Sequence, residues 1–216
     1  MRDIPLFTTE YGVASLVLKE IPYRQEAYIC IQSSCQPAEL LEECIGFCRA
    51  CGAERIYARN HDFLGKYPVY TSVIKMRGLA QADENKVENL WPVTEETVTQ
   101  WRQFMNERLK KVDNAATLET LDEKDILNRG GAYFVHRNGD LLGGGWLTDG
   151  ELLLVAGAKP GAGERVMHTL MSLQLDRAIE LEVASTNDRA IHLYEKLGFV
   201  KTEELRRWYK IFPADK

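Results

Sequence analysis

Two dipeptides, Asn138-Gly139 and Asp149-Gly150, leave the middle of this 216-residue chain little conformational choice. Asn-Gly and Asp-Gly accept the positive φ angles of tight hairpin turns at low cost, and here β-prone apolar runs flank each of them. The first joins residues 132–137 (AYFVHR) to 141–147 (LLGGGWL), and the second joins that run to 151–155 (ELLLV), so the spacing predicts a three-strand antiparallel meander. The AGAKPGAGE that follows is too rich in glycine and alanine to continue a strand, and Pro160 breaks it, so it reads as a loop. It feeds a helix, because Val166, Met167, Leu170, Met171 and Leu173 recur at helical steps. Residues 179–183 (IELEV) alternate as a strand does. A strand–helix–strand crossover returns the chain in its starting direction, so IELEV is expected to lie parallel to ELLLV.

Around this centre the elements fall in order. Asn187 is placed to cap a helix that Gly198 ends, and 199–203 and 207–212 read as two closing strands. Ahead of the meander, 95–112 sets Val98, Trp101, Phe104, Met105 and Leu109 on one helical side, and 118–127 offers a shorter helix. The expected class is α+β (α/β): a mixed, mostly antiparallel sheet flanked by helices and preceded by a smaller α/β unit. That smaller unit repeats the central pattern, with strand 27–31 (AYICI), helix 37–51, strand 55–58, and Asn60 where Asn187 stands later. Its connecting loop, SSCQPAE, has no glycine, so it is not expected to hold a phosphate. The polar stretch 78–88 reads as a linker between units 1–80 and 81–216.

Charge and cysteines narrow the function. A formal net charge of -5 and a pI near 5.5 make nucleic acid and anionic membranes poor partners. The first twenty residues carry Asp3 and Glu10 and no unbroken apolar run, so neither a signal peptide nor a membrane span is read there, and the cytoplasm is the expected compartment. The five cysteines lie between Cys30 and Cys51, an odd number in one segment, which argues against a disulfide framework. Cys48 and Cys51 spell C-x-x-C. They end their helix, however, where the dipole opposes a thiolate, and the expected role is that of small buried hydrophobes, with no metal.

The glycine loop reads by itself either as a site for phosphate or as a flexible connection that binds nothing. Unpaired amides at a helix start, approached through small residues, suit phosphate oxygens. No G-K-[ST] follows, and a dinucleotide fingerprint would need a glycine at Val166, so neither a P-loop nor a Rossmann site is read. Taken with the element order, the run N-x-x-A-x-x-L-Y-E-K-L-G-F from Asn187 to Phe199 resembles the GNAT superfamily of N-acetyltransferases. The resemblance spans about 85–212 and is strongest from Leu152 onward. The N-terminal unit looks like a degenerate second copy.

That resemblance implies acetyl-coenzyme A as cosubstrate between ELLLV and IELEV. It implies the pyrophosphate on the amides of Gly161, Ala162, Gly163 and Glu164, main-chain contacts from Val155, Ala156 and Gly157, and Asn187 beside the pantetheine arm. Tyr194 matches the superfamily's proton donor to the leaving thiolate, a role a phenol suits because it stays protonated at neutral pH. It also lies at helical spacing from Ile191 and Leu197, where it would pack. Glu151 is the candidate general base, with Asp149, His136 and Glu182 behind it. The loop departs from the superfamily pattern in having Ala158 at its usual basic position, Lys159 next to it, and Pro160, which removes one amide donor. Two functions are implied: direct acetyl transfer to a primary amine of a small molecule or peptide, or acyl-CoA binding and protein interaction without catalysis. Either leaves room for a homodimer.

Overall fold

The computed structural model describes residues 5–212. The chain opens with β1 (Leu6–Thr9), β2 (Gly12–Val17), a single turn α1 (Ile21–Arg24), β3 (Glu26–Ser34), α2 (Pro37–Ala50), β4 (Arg55–Arg59) and β5 (Val69–Leu79). It continues through β6 (Asn89–Pro92), α3 (Val98–Leu109), α4 (Asp122–Arg129), β7 (Ala132–Arg137), β8 (Asp140–Thr148) and β9 (Glu151–Gly157). It closes with α5 (Gly163–Met171), β10 (Ala178–Ala184), α6 (Asp188–Lys196) and β11 (Val200–Phe212). Two compact units emerge: residues up to Val73 together with those from Glu204, and Ile74–Glu203.

In the second unit the strands run β11-β5-β10-β9-β8-β7-β6. The meander forms as its turns dictate: Asn138 and Gly139 adopt φ of 51° and 88°, Asp149 and Gly150 of 50° and 79°. β7 and β8 pair antiparallel from Ala132↔Trp146, and β8 and β9 as far as Gly143↔Gly157. β10 lies parallel to β9, as a crossover requires, but the two are paired only at Glu180↔Glu151 and Leu181↔Leu152. Beyond those positions β9 runs on to Gly157 and β10 to Ala184 without pairing, so the sheet is open there.

The glycine triplet of β8 explains how α5 comes down onto the sheet. A Cβ at Gly145 would stand 2.4 Å from Leu170 Cδ1, and one at Gly143 2.7 Å from Val166 Cγ2. Val166, Met167, Leu170 and Met171 thereby join Leu181, Val183 and Phe199 in one buried cluster. A second cluster of this unit gathers Trp101 and Met105 of α3, Ile126 of α4 and Trp146 of β8.

In the first unit β3 and β4 are parallel and stay paired over five positions, from Glu26↔Arg55 to Cys30↔Arg59. Leu40, Leu41, Cys44 and Cys48 of α2 bury against them. The expected strand–helix–strand copy is therefore present, but its parallel pair does not open. Asn60 does not cap a helix as Asn187 does. It takes a left-handed φ of 76° and donates from Nδ2 to the Ile31 carbonyl at 2.9 Å, while His61 Nδ1 accepts from the Phe63 amide and caps a short 3-10 turn.

Three local expectations change. The two closing strands are one strand, β11, because 204–206 stay extended. The stretch 78–88 is not a free linker. Its first residues complete β5; then His168 Nδ1 accepts from the Asp83 amide at 3.2 Å, Thr169 Oγ1 accepts from the Glu88 amide at 2.9 Å, and Arg165 pairs with Glu88 at 2.6 Å. Polar partners on α5 supply what apolar periodicity could not signal. The helix read at 118–127 starts later, since Asn106 clamps both the amide and carbonyl of Leu118 at 2.9 and 2.8 Å.

Cys30, Cys44 and Cys48 are buried, Cys35 and Cys51 exposed, and all five are free thiols. Burial pushes the thiol of Cys44 up to about 11 and that of Cys48 up to about 12. Among the described residues no cluster of three or more His, Cys, Asp or Glu is gathered to hold a metal, and no helix is long and apolar enough to cross a membrane.

Candidate active site

The entry to α5 is built to leave amides unspent. Its N-cap is Ala162, which has no side-chain oxygen to give, whereas most helix starts satisfy an orphan amide with Ser, Thr, Asp or Asn. Only the Ala162 amide of the expected four is used internally, donating to the Lys159 carbonyl at 3.2 Å. The amides of Gly161, Gly163 and Glu164 have no partner among the described residues. Gly161 holds a left-handed φ of 87° with open space where a side chain would be. These donors at the positive end of a helix dipole suit an anion, so the residues present fit a diphosphate.

Strand geometry extends the site along β9. The Ala158 amide donates to the Leu142 carbonyl of β8 at 2.7 Å. Because strand amides alternate sides, the Val155 and Gly157 N–H groups point away from β8, toward the side β10 has left, while that of Ala156 points to β8. Asn187 is the N-cap of α6, its Oδ1 accepting from the Ala190 amide at 3.2 Å.

Tyr194 lies in the same buried cluster as Ala162 and Val183, its ring 6.0 Å from that of Phe199. Phe199 is itself backed by Gly78, where a Cβ would come 2.8 Å from the ring. The Tyr194 hydroxyl has no hydrogen-bond partner among the described residues, yet it is not one of the fully enclosed orphan atoms. Burial pushes its phenol up to about 12.

Charge at the α5 entry comes from side chains given no charge role on sequence grounds. The Glu164 carboxylate is held by Lys196 and by Lys86, each at 2.7 Å, with His168 Nε2 3.9 Å away. Its bonds to Lys196 and then Lys86 hold its pKa down at about 2. Two lysines thus stand at the helix start although Ala158 occupies the usual basic position. Lys196 lies inside the recognised motif, but Lys86 is distant in sequence and no local spacing could have pointed to it.

The candidate bases are not gathered with these groups. Glu151 begins β9 at its paired end, about 20 Å of strand from Gly157 at ~3.3 Å per residue, and its exposed carboxylate stands 3.8 Å from Arg129. Asp149 is in the turn before it. His136 is on β7 with its ring 5.1 Å from Trp91. Glu182 is the one on β10 just beyond the last paired position.

Residues 159–199 match the model of the acetyltransferase (GNAT) family. Among curated proteins none matches the chain in sequence. Solved structures share its fold over almost its whole length. A conserved protein of unknown function from Staphylococcus epidermidis is 10% identical, with 96% of this chain and 93% of that one covered and a TM-score of 0.57. A putative acetyltransferase from Pyrococcus horikoshii is 14% identical, covering 95% and 72%, with a TM-score of 0.55. A GNAT-family acetyltransferase from Colwellia psychrerythraea is 14% identical, covering 95% and 84%, with a TM-score of 0.51. The fold is therefore that of the GNAT N-acyltransferases, and the C-terminal part of the chain carries the family's sequence pattern.

Proposed function

We propose that the protein is an acetyl-CoA-dependent N-acetyltransferase acting on a primary amine of a small molecule or peptide. The observation that carries this reading is the set of unspent amides at Gly161, Gly163 and Glu164, set beside a parallel pair that opens after two positions. These amides, with Lys86, Lys159 and Lys196 nearby in charge or sequence, would hold the diphosphate. Val155 and Gly157 would offer their outward N–H groups to the pantetheine arm and to the carbonyl oxygen as charge develops on it. The bound cosubstrate supplies an activated thioester, open to attack by a neutral amine. Tyr194 then gives the phenolic proton to the departing thiolate, and its burial keeps that proton in place across the physiological range. Glu182, not Glu151, is the better-placed carboxylate to take the ammonium proton through water, because it lies where the two strands part.

The second reading is a chain that binds acyl-CoA without turnover. It draws on the position of Glu151 at the paired end of its strand, away from Gly157, and on Ala158 in the loop. Released thiol measured over an amine panel separates the two. Acetyl transfer to at least one amine, strongly reduced in Tyr194→Phe, supports the enzyme; saturable CoA binding with no thiol release supports the binding module.

A further inference from the structure

The first unit has an open cavity of about 600 Å³ that the acetyl-transfer reading does not use. It lies where β4 ends and meets the C-terminal part of β11, lined by Arg59, Asn60, His61, Asp62, Arg206 and Arg207. Ligands of open α/β sheets gather at such carboxyl ends, and the turn here is shaped by the left-handed Asn60.

The donors in this cavity are uneven. Glu204 engages Arg207 through both oxygens, at 2.7 and 2.9 Å. Arg59 has no carboxylate partner among the described residues. Its guanidinium lies 5.1 Å from the centroid of the Trp208 ring, and its Nε is buried without an acceptor. Trp208 is itself a buried residue whose Nε1 has no acceptor. A buried donor without a partner loses its bond to water and gains none in return, so an arginine held in this way is an anchor awaiting an acceptor. His61 adds to it: its Nδ1 accepts from the Phe63 amide at 3.1 Å, which in the neutral ring puts the proton on Nε2, and Nε2 has no partner among the described residues. Asp62 opposes an anion. With Arg207 engaged by Glu204, Arg59 is the guanidinium of this cavity without a carboxylate partner among the described residues, set against the single carboxylate of Asp62.

We propose that this cavity is a second ligand site, binding a small molecule through a carboxylate or phosphate group, with Arg59 as the anchor and His61 as an auxiliary donor. The volume exceeds that of a single oxyanion, so the ligand is an organic anion. The site is independent of the glycine loop, which lies in the other unit.

Calorimetric titration of the full chain at low ionic strength with inorganic phosphate and with succinate tests this. At least one probe is expected to bind saturably, and the preferred probe assigns the ligand to phosphate esters or to carboxylates. Arg59→Met should weaken that binding by about tenfold or more, the scale of one lost charge-assisted bond. Asp62→Asn, an exposed change that leaves the fold intact, should tighten it, and Arg49→Gln on α2 should leave it unaltered. Failure of both probes to bind saturably, or an affinity that Asp62→Asn does not raise, overturns the proposal.

Discussion

Tyr194 packs and carries a free hydroxyl at once. Its ring belongs to the core that holds Phe199 and Val183, while its oxygen makes no bond among the described residues. Removing that oxygen alone should leave the packing intact, so Tyr194→Phe is expected to lower kcat by about a hundredfold while the affinity for acetyl-CoA stays within about a factor of two. Steady-state kinetics beside calorimetry checks this. A phenol raised from 10.0 to about 12 stays neutral well past physiological pH, so the pH–rate profile should show no loss from this group below about pH 11. The same shift contributes stability that is fully present below the ordinary phenol value and lost as pH rises toward about 12. The thiols follow burial in the same way. A thiol reagent should titrate Cys35 and Cys51 rapidly in the native chain, and Cys30, Cys44 and Cys48 only on unfolding. At this scale the sequence was legible where a residue works within its own element, as Asn187 does as a cap. It was silent where partners come from afar, as with Lys86 and Glu164, and it gave no measure of the extended strand that separates Glu151 from the glycine loop.

Among the elements, α5 is the one whose placement and entry matter most. Its seat on the sheet depends on glycine: a Cβ at Gly143 would stand 2.3 Å from the Ala156 carbonyl oxygen, a backbone atom with little room to yield. Gly143→Ala should therefore destabilise the protein by about 1–3 kcal/mol, read by chemical denaturation. The entry is electrostatic. Lys196→Ala leaves the fold alone but removes a cation at the helix start, so it should weaken acetyl-CoA several-fold at low salt, with the difference from the parent chain shrinking as ionic strength rises. Glu164 supports this arrangement only while ionised. Its depressed carboxylate contributes stability present above the ordinary glutamate value and lost as pH falls toward about 2. Periodicity and turn dipeptides made the meander, α5 and α6 legible. They could not show that β9 and β10 part after two positions, because the separation of strands depends on what packs between them and not on either strand's own pattern.

Across the whole chain, the repeated strand–helix–strand pattern did not repeat its site. In the first unit the parallel pair stays closed over five positions and its loop has no glycine, so acetyl-CoA is expected to bind with a stoichiometry near one per chain. A stoichiometry near two would place a second cosubstrate site in β3 and β4. The run from Asn187 to Phe199 made the fold recognisable. Elements fixed by side-chain hydrogen bonds, such as the stretch from Asp83 to Glu88 along α5, were not legible, because a polar stretch looks the same in sequence whether it is solvated or anchored. The account rests on amides kept free for a diphosphate, and amide resonances read that directly. On titrating the labelled full chain with coenzyme A, the amides of Gly161, Gly163 and Glu164 are expected to shift strongly downfield while that of Ala162, already bonded to Lys159, moves little. Pantetheine, which lacks the diphosphate, should leave all four nearly in place. Saturating coenzyme A that leaves Gly161, Gly163 and Glu164 unmoved would contradict the account.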